Sequence, residues 1–298
     1  MIDLHMHSRY SDDGEYTPAE LVEQCAAQGI ETMSITDHNC VRGVPEALEA
    51  AREKGITCIP GVEIDCVYEG VNFHVLGYGI DFDSSDFSQI ESSVERQNIR
   101  ASQVMLKKTQ KLGFEKVTEQ DMQEVSRGCY RKDVWTGEMF AEVLLGMPEY
   151  ADHPLLDAYR PGGPRSSNPY VNFYWDFYSQ GKSCYVKIDF PPMKEIVDMI
   201  HRNHGTAVLA HPGVNLRGRE HLLDGILSLG VEGVEAFSSY HTPELSRFFY
   251  QKAAENGRIV TCGSDFHGKT KPSIRLGEAV FAPGMDERLV KLPERRAL

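Results

Sequence analysis

The sequence has no apolar run approaching the roughly 18 to 20 residues that cross a bilayer, so no membrane span is expected. Its first residues, MIDLHMHS, show no basic segment followed by an apolar one, so no secretory signal peptide is expected. Basic charge is also short: 31 Lys and Arg stand against 44 Asp and Glu, a formal net charge of −13. Nucleic acids and membrane surfaces are anionic, so neither a long nucleic acid nor a membrane is an expected partner. The seven cysteines contain no C-x-x-C pair, and an odd count in a chain of 298 residues does not suit a disulfide framework. A reducing cytoplasm is the expected location. Cys58 in ITCIP and Cys262 in IVTCG read as small buried hydrophobes. No internal repeat or low-complexity tract is present. What remains is ordinary globular usage, 41% apolar and 25% charged, in a chain long enough to bury a real core.

The first 80 or so residues alternate short apolar runs with helical patterns. MIDLHM, TMSIT, ITCIP and, after a turn at Glu69-Gly70, NFHVLGYG read as strands. Thr17-Pro18-Ala19-Glu20 opens a helix with a capping box and proline at its first position. A second helix runs from about Pro45 to Lys54 and stops at Gly55. This rhythm predicts βαβ units and a parallel sheet. It breaks after about Asp83 with a polar-rich helical stretch from Phe87 to Leu112, then an aromatic-rich segment carrying the turn-forming run RPGGPRSSNP. Residues 84–184 therefore read as an inserted, mostly helical cap or substrate subdomain with a mobile loop. The rhythm returns near Val186 with strands at TAVLA, VEGVEAF, RIVTCG and GEAVFA, and helices ending near His204, Leu229 and Asn256. The expected fold is a parallel α/β barrel built from 1–83 and 185–298, interrupted once.

Six of the eleven histidines lie at or near the ends of these strands: His5, His7, His38, His74, His211 and His267. Asp37, Glu63 and Asp265 occupy equivalent places. Strand ends in a parallel barrel converge on one face, where active sites lie. His5 and His7 are two residues apart, so on a strand both point to one side, and Asp265 and His267 repeat the spacing. An H-x-H pair with carboxylates from two other strand ends has the composition of a transition-metal site.

The segments DLHMHSRYSDDG, ITDHN, PGVEI, FHVLGYGID, LAHPG and GSDFHG together resemble the PHP (polymerase and histidinol phosphatase) family of metal-dependent phosphoesterases. The resemblance covers about residues 1–83 and 185–282. It implies a distorted (β/α)7 barrel with a centre of two or three divalent ions, manganese, zinc or iron. Carried over residue by residue, it implies a first ion on His5, His7, Glu63 and Asp265. A second would share Glu63 and add His74 and His211. A third would take Asp12, His38 and His267. Asp12 is preferred to Asp13 because the family's carboxylate falls five residues after the second histidine of H-x-H. Glu63, Asp265 and His267 would be the residues most directly engaged in catalysis. Such a centre would activate a bridging hydroxide for in-line attack on phosphorus, and its positive charge would let an acidic protein bind phosphate. Asp37 would either orient a neighbouring group or cap its strand end.

Many relatives carry a G-R-P-H-like motif in the inserted region, whose arginine helps hold phosphate. The nearest candidate here is CYRKDVW, without the Pro and His, which offers Arg131 and Lys132. Arg160 and Arg165 flank the RPGGPR turn, Arg9 lies near the mouth, and His241 follows the VEGVEAF strand. All six are candidate substrate contacts, with solvated surface charge as the alternative for the arginines and lysine. The aromatics of the insertion serve either its own core or stacking on a base, the core being favoured. The expected activity is hydrolysis of a small nucleotide or sugar-phosphate monoester. The alternatives are a small cyclic phosphodiester, an exonuclease-like module, a C–N hydrolase of amidohydrolase type and a non-enzymatic metal-binding regulator.

Overall fold

A computed structural model describes residues 1–292; the last six positions of the expected 185–298 segment lie outside the described residues. The chain opens as read: β1 (Ile2–Met6), α1 (Pro18–Gln28), β2 (Thr32–Ile35), α2 (Val44–Lys54) and β3 (Thr57–Cys58) form a parallel three-stranded sheet ordered β1-β2-β3. The capping box is present, with the Glu20 N–H donating to Thr17 Oγ1 at 3.1 Å and the Thr17 N–H to Glu20 Oε2 at 2.8 Å.

The sheet is not parallel throughout. β4 (Gly61–Tyr68) and β5 (Val71–Tyr78) pair antiparallel across their whole length. Glu69 and Gly70 both take left-handed backbone angles, φ 50° and 75°, and so close a two-residue hairpin, where a parallel pair would need a long crossover. β5 also runs antiparallel to β6 (Thr206–Leu209), after which β7 (Gly233–Ser238) and β8 (Ile259–Gly263) continue in parallel. β4 is the strand that periodicity did not separate from the preceding ITCIP run. GEAVFA forms no strand, and its Val280 N–H reaches only the Ser238 carbonyl, at 3.4 Å.

The described strands thus form two sheets, of three and five strands, rather than one continuous closed ladder. Single bridges join their edges, Met6 to Phe266 and His38 to Glu63. Along that seam the Asp265 N–H donates to the His5 carbonyl at 2.8 Å and the His7 N–H to the Phe266 carbonyl at 2.9 Å.

Between the sheets' two runs of chain lies a helical segment: α3 (Ser85–Lys111), α4 (Glu119–Val125), α5 (Gly137–Gly146) and α6 (Pro169–Phe177), with 3-10 turns between α5 and α6. It has a core of its own, around Phe114, Trp135, Phe140, Leu144, Phe173 and Tyr178. Most of its aromatics are spent there, as favoured from sequence; Tyr130 and Trp175 are exposed. α7 (Met193–Arg202) then buries Met193, Ile196, Val197 and Ile200 against β4, β5 and β6. α8 (Pro212–Asn215), α9 (Leu223–Ser228) and α10 (Pro243–Glu255) complete the chain's helices among the described residues. Among the described residues the seven cysteines form no disulfide, and six of them are buried, as small hydrophobes are. No helix of the described residues is long and apolar enough to cross a membrane.

Candidate metal centre

The strand ends converge on Glu63. β4 places its carboxylate, fully buried, between two groups of imidazoles. Oε2 lies 3.2 Å from His5 Nε2, 3.2 Å from His7 Nε2 and 3.2 Å from His38 Nδ1. Oε1 lies 2.9 Å from His74 Nδ1 and 3.0 Å from His211 Nε2. Asp265 Oδ1 faces the same histidines, 3.3 Å from His5 Nε2 and 3.0 Å from His7 Nε2. β1 is brought this close to β8 because position 263 is glycine: a Cβ there would sit 2.2 Å from His5 Cβ.

The outer ring nitrogens fix the direction of the inner ones. His5 Nδ1 donates to Glu235 Oε1 at 3.0 Å, His211 Nδ1 to Asn215 Oδ1 at 2.9 Å and His267 Nδ1 to the Asp265 carbonyl at 2.9 Å. His7 Nδ1 meets Ser11 Oγ at 3.2 Å. Each ring then turns its Nε2 inward. The Nε2 atoms of His5 and His7 are 3.1 Å apart. His38 Nδ1, Glu63 Oε2, Asp265 Oδ1 and His267 Nε2 are buried without a hydrogen-bond partner. Imidazole nitrogens and carboxylate oxygens that converge on one place, several of them without a hydrogen-bond partner, are what a cation satisfies, so this ligand set fits divalent metal. Four groupings of potential ligands follow: His5, His7, Glu63 and Asp265; Glu63, His74 and His211; His7, Asp13, His38 and His267; and His38, Asp65 and His74.

Charge agrees with that reading. Burial opposes ionisation of Glu63 and Asp265, but for Glu63 the imidazoles of His5, His74 and His38, and for Asp265 Lys271, His267 and His5, outweigh it and hold both carboxyls well below their usual range. Burial likewise opposes charge on His7 and His74, yet the carboxylates beside them push these imidazoles up to about 9 and about 10. In the absence of an ion, protons answer the negative charge of the site. Backbone strain collects here too: His211 and Asp265 have φ of 24° and 57°.

One expected ligand is corrected. Asp12 turns away: Arg131 Nη1 pairs with its Oδ1 and Asn98 Nδ2 donates to its Oδ2 at 3.0 Å. Its neighbour Asp13 faces the site, with Oδ2 3.2 Å from His267 Nε2. The clamp from Arg131, 119 residues away, decides between the two carboxylates. Arg131 is itself corrected as a free phosphate contact, because its side chain is 3% exposed and also pairs with Glu91 at 3.3 Å. Arg160 donates to the Tyr150 carbonyl at 2.9 Å and Arg165 pairs with Asp176 at 2.8 Å, both within the helical segment. His241 is buried and neutral: its Nδ1 donates to the Ala236 carbonyl at 2.9 Å and its Nε2 accepts from the Gly213 N–H at 3.0 Å, which steadies the turn after His211. Lys132 and Arg9 are exposed, and the Arg9 guanidinium lies 5.7 Å from the Tyr10 ring centroid. Asp37 accepts from the Ser8 N–H at 2.6 Å and Ser8 Oγ at 2.7 Å, so it fixes the turn after the H-x-H pair.

Sequence reasoning missed three groups. Asp65, two residues beyond Glu63 on β4, lies 3.0 Å from His74 Nε2. The same i, i+2 spacing that marked H-x-H was visible in E-I-D. Lys271 Nζ at 2.7 Å and the Tyr240 hydroxyl at 2.6 Å both donate to Asp265 Oδ2, leaving Oδ1 for the site. No spacing signals these two, since they meet Asp265 only through the fold.

Comparison with known proteins places this geometry. The PHP domain profile matches residues 3–152. The 3′,5′-nucleoside bisphosphate phosphatase of Chromobacterium violaceum is 28% identical over 300 residues, covering 100% of this chain and 98% of that protein. The phosphoribosyl 1,2-cyclic phosphate 1,2-diphosphodiesterase of Eggerthella lenta is 28% identical, covering 90% of this chain and 94% of that protein. A 5′-3′ exoribonuclease of Haemophilus influenzae is also 28% identical, covering 89% of each. Among solved structures, a Chromobacterium violaceum protein described as an amidohydrolase, with bound sulfate, superposes with a TM-score of 0.78 at 26% identity, covering 95% of this chain and 92% of that one. A Bifidobacterium adolescentis protein described as a metal-dependent phosphoesterase gives 0.76 at 27% identity, with the same coverage. With the profile spanning half the sequence and the histidines and carboxylates gathered at one rim, this chain belongs to the PHP domain family.

Proposed function

We propose that the protein is a metal-dependent phosphoesterase that hydrolyses a small phosphate monoester, of nucleotide or sugar-phosphate type. The observation that carries this is the convergence on Glu63 of imidazoles from separate strand ends, with inward atoms that have no hydrogen-bond partner. His5, His7, Glu63 and Asp265 would hold one divalent ion, Glu63, His74 and His211 a second, and His7, Asp13, His38 and His267 a third. Bound there, manganese, zinc or iron supplies positive charge for phosphate oxygens and lowers the pKa of water.

The chain's own residues set the conditions for this. Lys271 and Tyr240 hold Asp265 by its second oxygen, so the first stays directed at the imidazoles. Glu235 accepts from His5 Nδ1 and from the His211 N–H at 2.7 Å, locking two strand ends with one carboxylate. The side chains of His38 and His74 are 17% and 24% exposed while those of His5, His7 and Glu63 are sealed, so substrate enters on the His38 and His74 side. The helical segment is proposed as a cap formed by 84–184 on a distorted barrel of 1–83 and 185–298. An acidic chain supports a small phosphorylated partner over a polynucleotide. An odd number of cysteines without a C-x-x-C pair supports a reducing compartment, the cytoplasm. A small cyclic phosphodiester is the second reading, supported by the relative from Eggerthella lenta. An amide-hydrolysing reading has less support, because Glu63 and not a lysine stands between the imidazole groups.

The test is reconstitution of chelator-stripped protein with Mn²⁺, Zn²⁺ or Fe²⁺, followed by assays on mononucleotides, sugar phosphates, a small cyclic phosphodiester and single-stranded DNA. Turnover of the small esters that chelation abolishes is expected. Glu63→Gln should lower both metal content and rate, the rate by about 100-fold or more, beyond the roughly 10- to 100-fold typical of losing an outer partner. Metal-loaded protein that turns over no phosphate ester would refute the proposal.

A further inference from the structure

We propose that Tyr130 and Tyr10, flanked by Arg42 and Arg9, form a stacking platform for the base of a nucleotide substrate beside the metal centre. This rests on the phosphoesterase reading and narrows its substrate class from phosphate esters in general to nucleotides.

Four side chains from three separate segments line up. The Arg9 guanidinium lies 5.7 Å from the Tyr10 ring centroid, the Tyr10 and Tyr130 rings are 5.2 Å apart, and the Arg42 guanidinium lies 5.4 Å from Tyr130. Arg9 and Tyr10 follow β1, Arg42 follows β2, and Tyr130 comes from the helical segment. While Trp135, Phe140, Phe173 and Tyr178 of that segment are spent on its core, Tyr130 is 44% exposed. It is nonetheless held in place on both sides. Its N–H donates to the Arg9 carbonyl at 3.2 Å, and the next residue, Arg131, is clamped by Asp12 and Glu91. Arg42 Nε is fixed by the two oxygens of Glu91 at 2.8 and 3.0 Å. An exposed ring that is already ordered loses little freedom when a ligand stacks on it.

The platform's place ties it to the chemistry. Tyr10 stands three residues from His7 and three from Asp13, so its backbone lies within about 11 Å of each by chain reach. A nucleotide whose phosphate oxygens meet ions held by those ligands would then lay its base on the tyrosines. Every base has a π face, and guanidinium groups over the rings reinforce stacking with positive charge in an otherwise acidic chain. A sugar phosphate without a base has nothing to place there.

Steady-state kinetics of manganese-loaded protein on adenosine 5′-monophosphate and ribose 5-phosphate test this, together with saturation-transfer NMR of adenosine on the metal-free protein. Wild type should favour the nucleotide in kcat/KM. Tyr130→Ala should cut that preference about tenfold, equivalent to about 1.4 kcal/mol, mainly through KM for the nucleotide. Tyr130→Phe, which keeps the ring, should restore it. Adenosine should receive saturation from wild type and lose it with Tyr130→Ala. An unchanged preference and unchanged transfer in Tyr130→Ala overturn the platform while leaving phosphoesterase activity standing. Protein that turns over neither ester counts against the phosphoesterase reading, and the adenosine measurement then decides the platform alone.

Discussion

At the scale of single residues, the centre depends on which oxygen or nitrogen of each side chain is already occupied. Adjacent aspartates make the point. Asp12 is committed to Arg131 and Asn98, and Asp13 to the side of His267. Asp13→Asn should therefore remove one ion from the stoichiometry measured by inductively coupled plasma mass spectrometry on protein saturated with manganese. Asp12→Asn should leave the ion count as it is. Equal losses from the two variants would mean that the clamp does not separate their roles. The pair also marks where sequence reading ended. H-x-H at the end of β1 was legible, because alternation on an extended backbone fixes which way side chains two apart point, whereas Asp265 lies past β8 with a left-handed φ of 57° and reaches the site by a turn. The choice between Asp12 and Asp13 was not legible, since a side chain from the helical segment makes it. Lys271 and Tyr240 were invisible because they meet Asp265 only through the fold.

At the scale of elements, local signals did well where the chain obeyed its own neighbours. The α1 capping box and the αL glycine at 55 that ends α2 formed as read, and Gly29 and Thr242 act likewise at the end of α1 and the start of α10. The β4–β5 hairpin was harder, because Pro60 and Gly61 run straight on from β3 and the Glu69-Gly70 turn alone reverses the chain. α5 carries a titratable burden of its own. Burial, with Asp13 adding to it, pushes the Glu138 carboxyl up to about 7. A folded value above the unfolded one means that this side chain favours folding most below the ordinary glutamate value and loses that advantage as pH rises to about 7. Glu138→Gln should thus match wild type in Tm near pH 4.5, gain steadily up to about pH 7 and hold a constant margin above it. The check is calorimetry across that range with chelator present; a margin independent of pH would mean that Glu138 is not buried in its charged form at neutral pH.

For the molecule as a whole, the raised imidazoles couple ion uptake to protons. His7 at about 9 and His74 at about 10 keep their protons at neutral pH when no ion is bound, and an ion must displace them to use their lone pairs. Manganese affinity should then rise with pH up to about 10, by about tenfold per unit for each proton still to be released, two below about 9 and one above it. Isothermal titration in buffers of different ionisation heat measures that release directly; an uptake with no protons given off would show that these rings are neutral before the ion arrives.

The seam between the two sheets gives this centre a second meaning. Its single bridges lie at Met6 with Phe266 and at His38 with Glu63, within a residue or two of the candidate ligands. His5, His7 and His38 belong to the three-stranded side, and Glu63, His74, His211 and Asp265 to the five-stranded side. Ions lodged there would act as rivets across a joint that the backbone itself barely stitches, so that the cluster fastening water to its task would also fasten one half of the protein to the other.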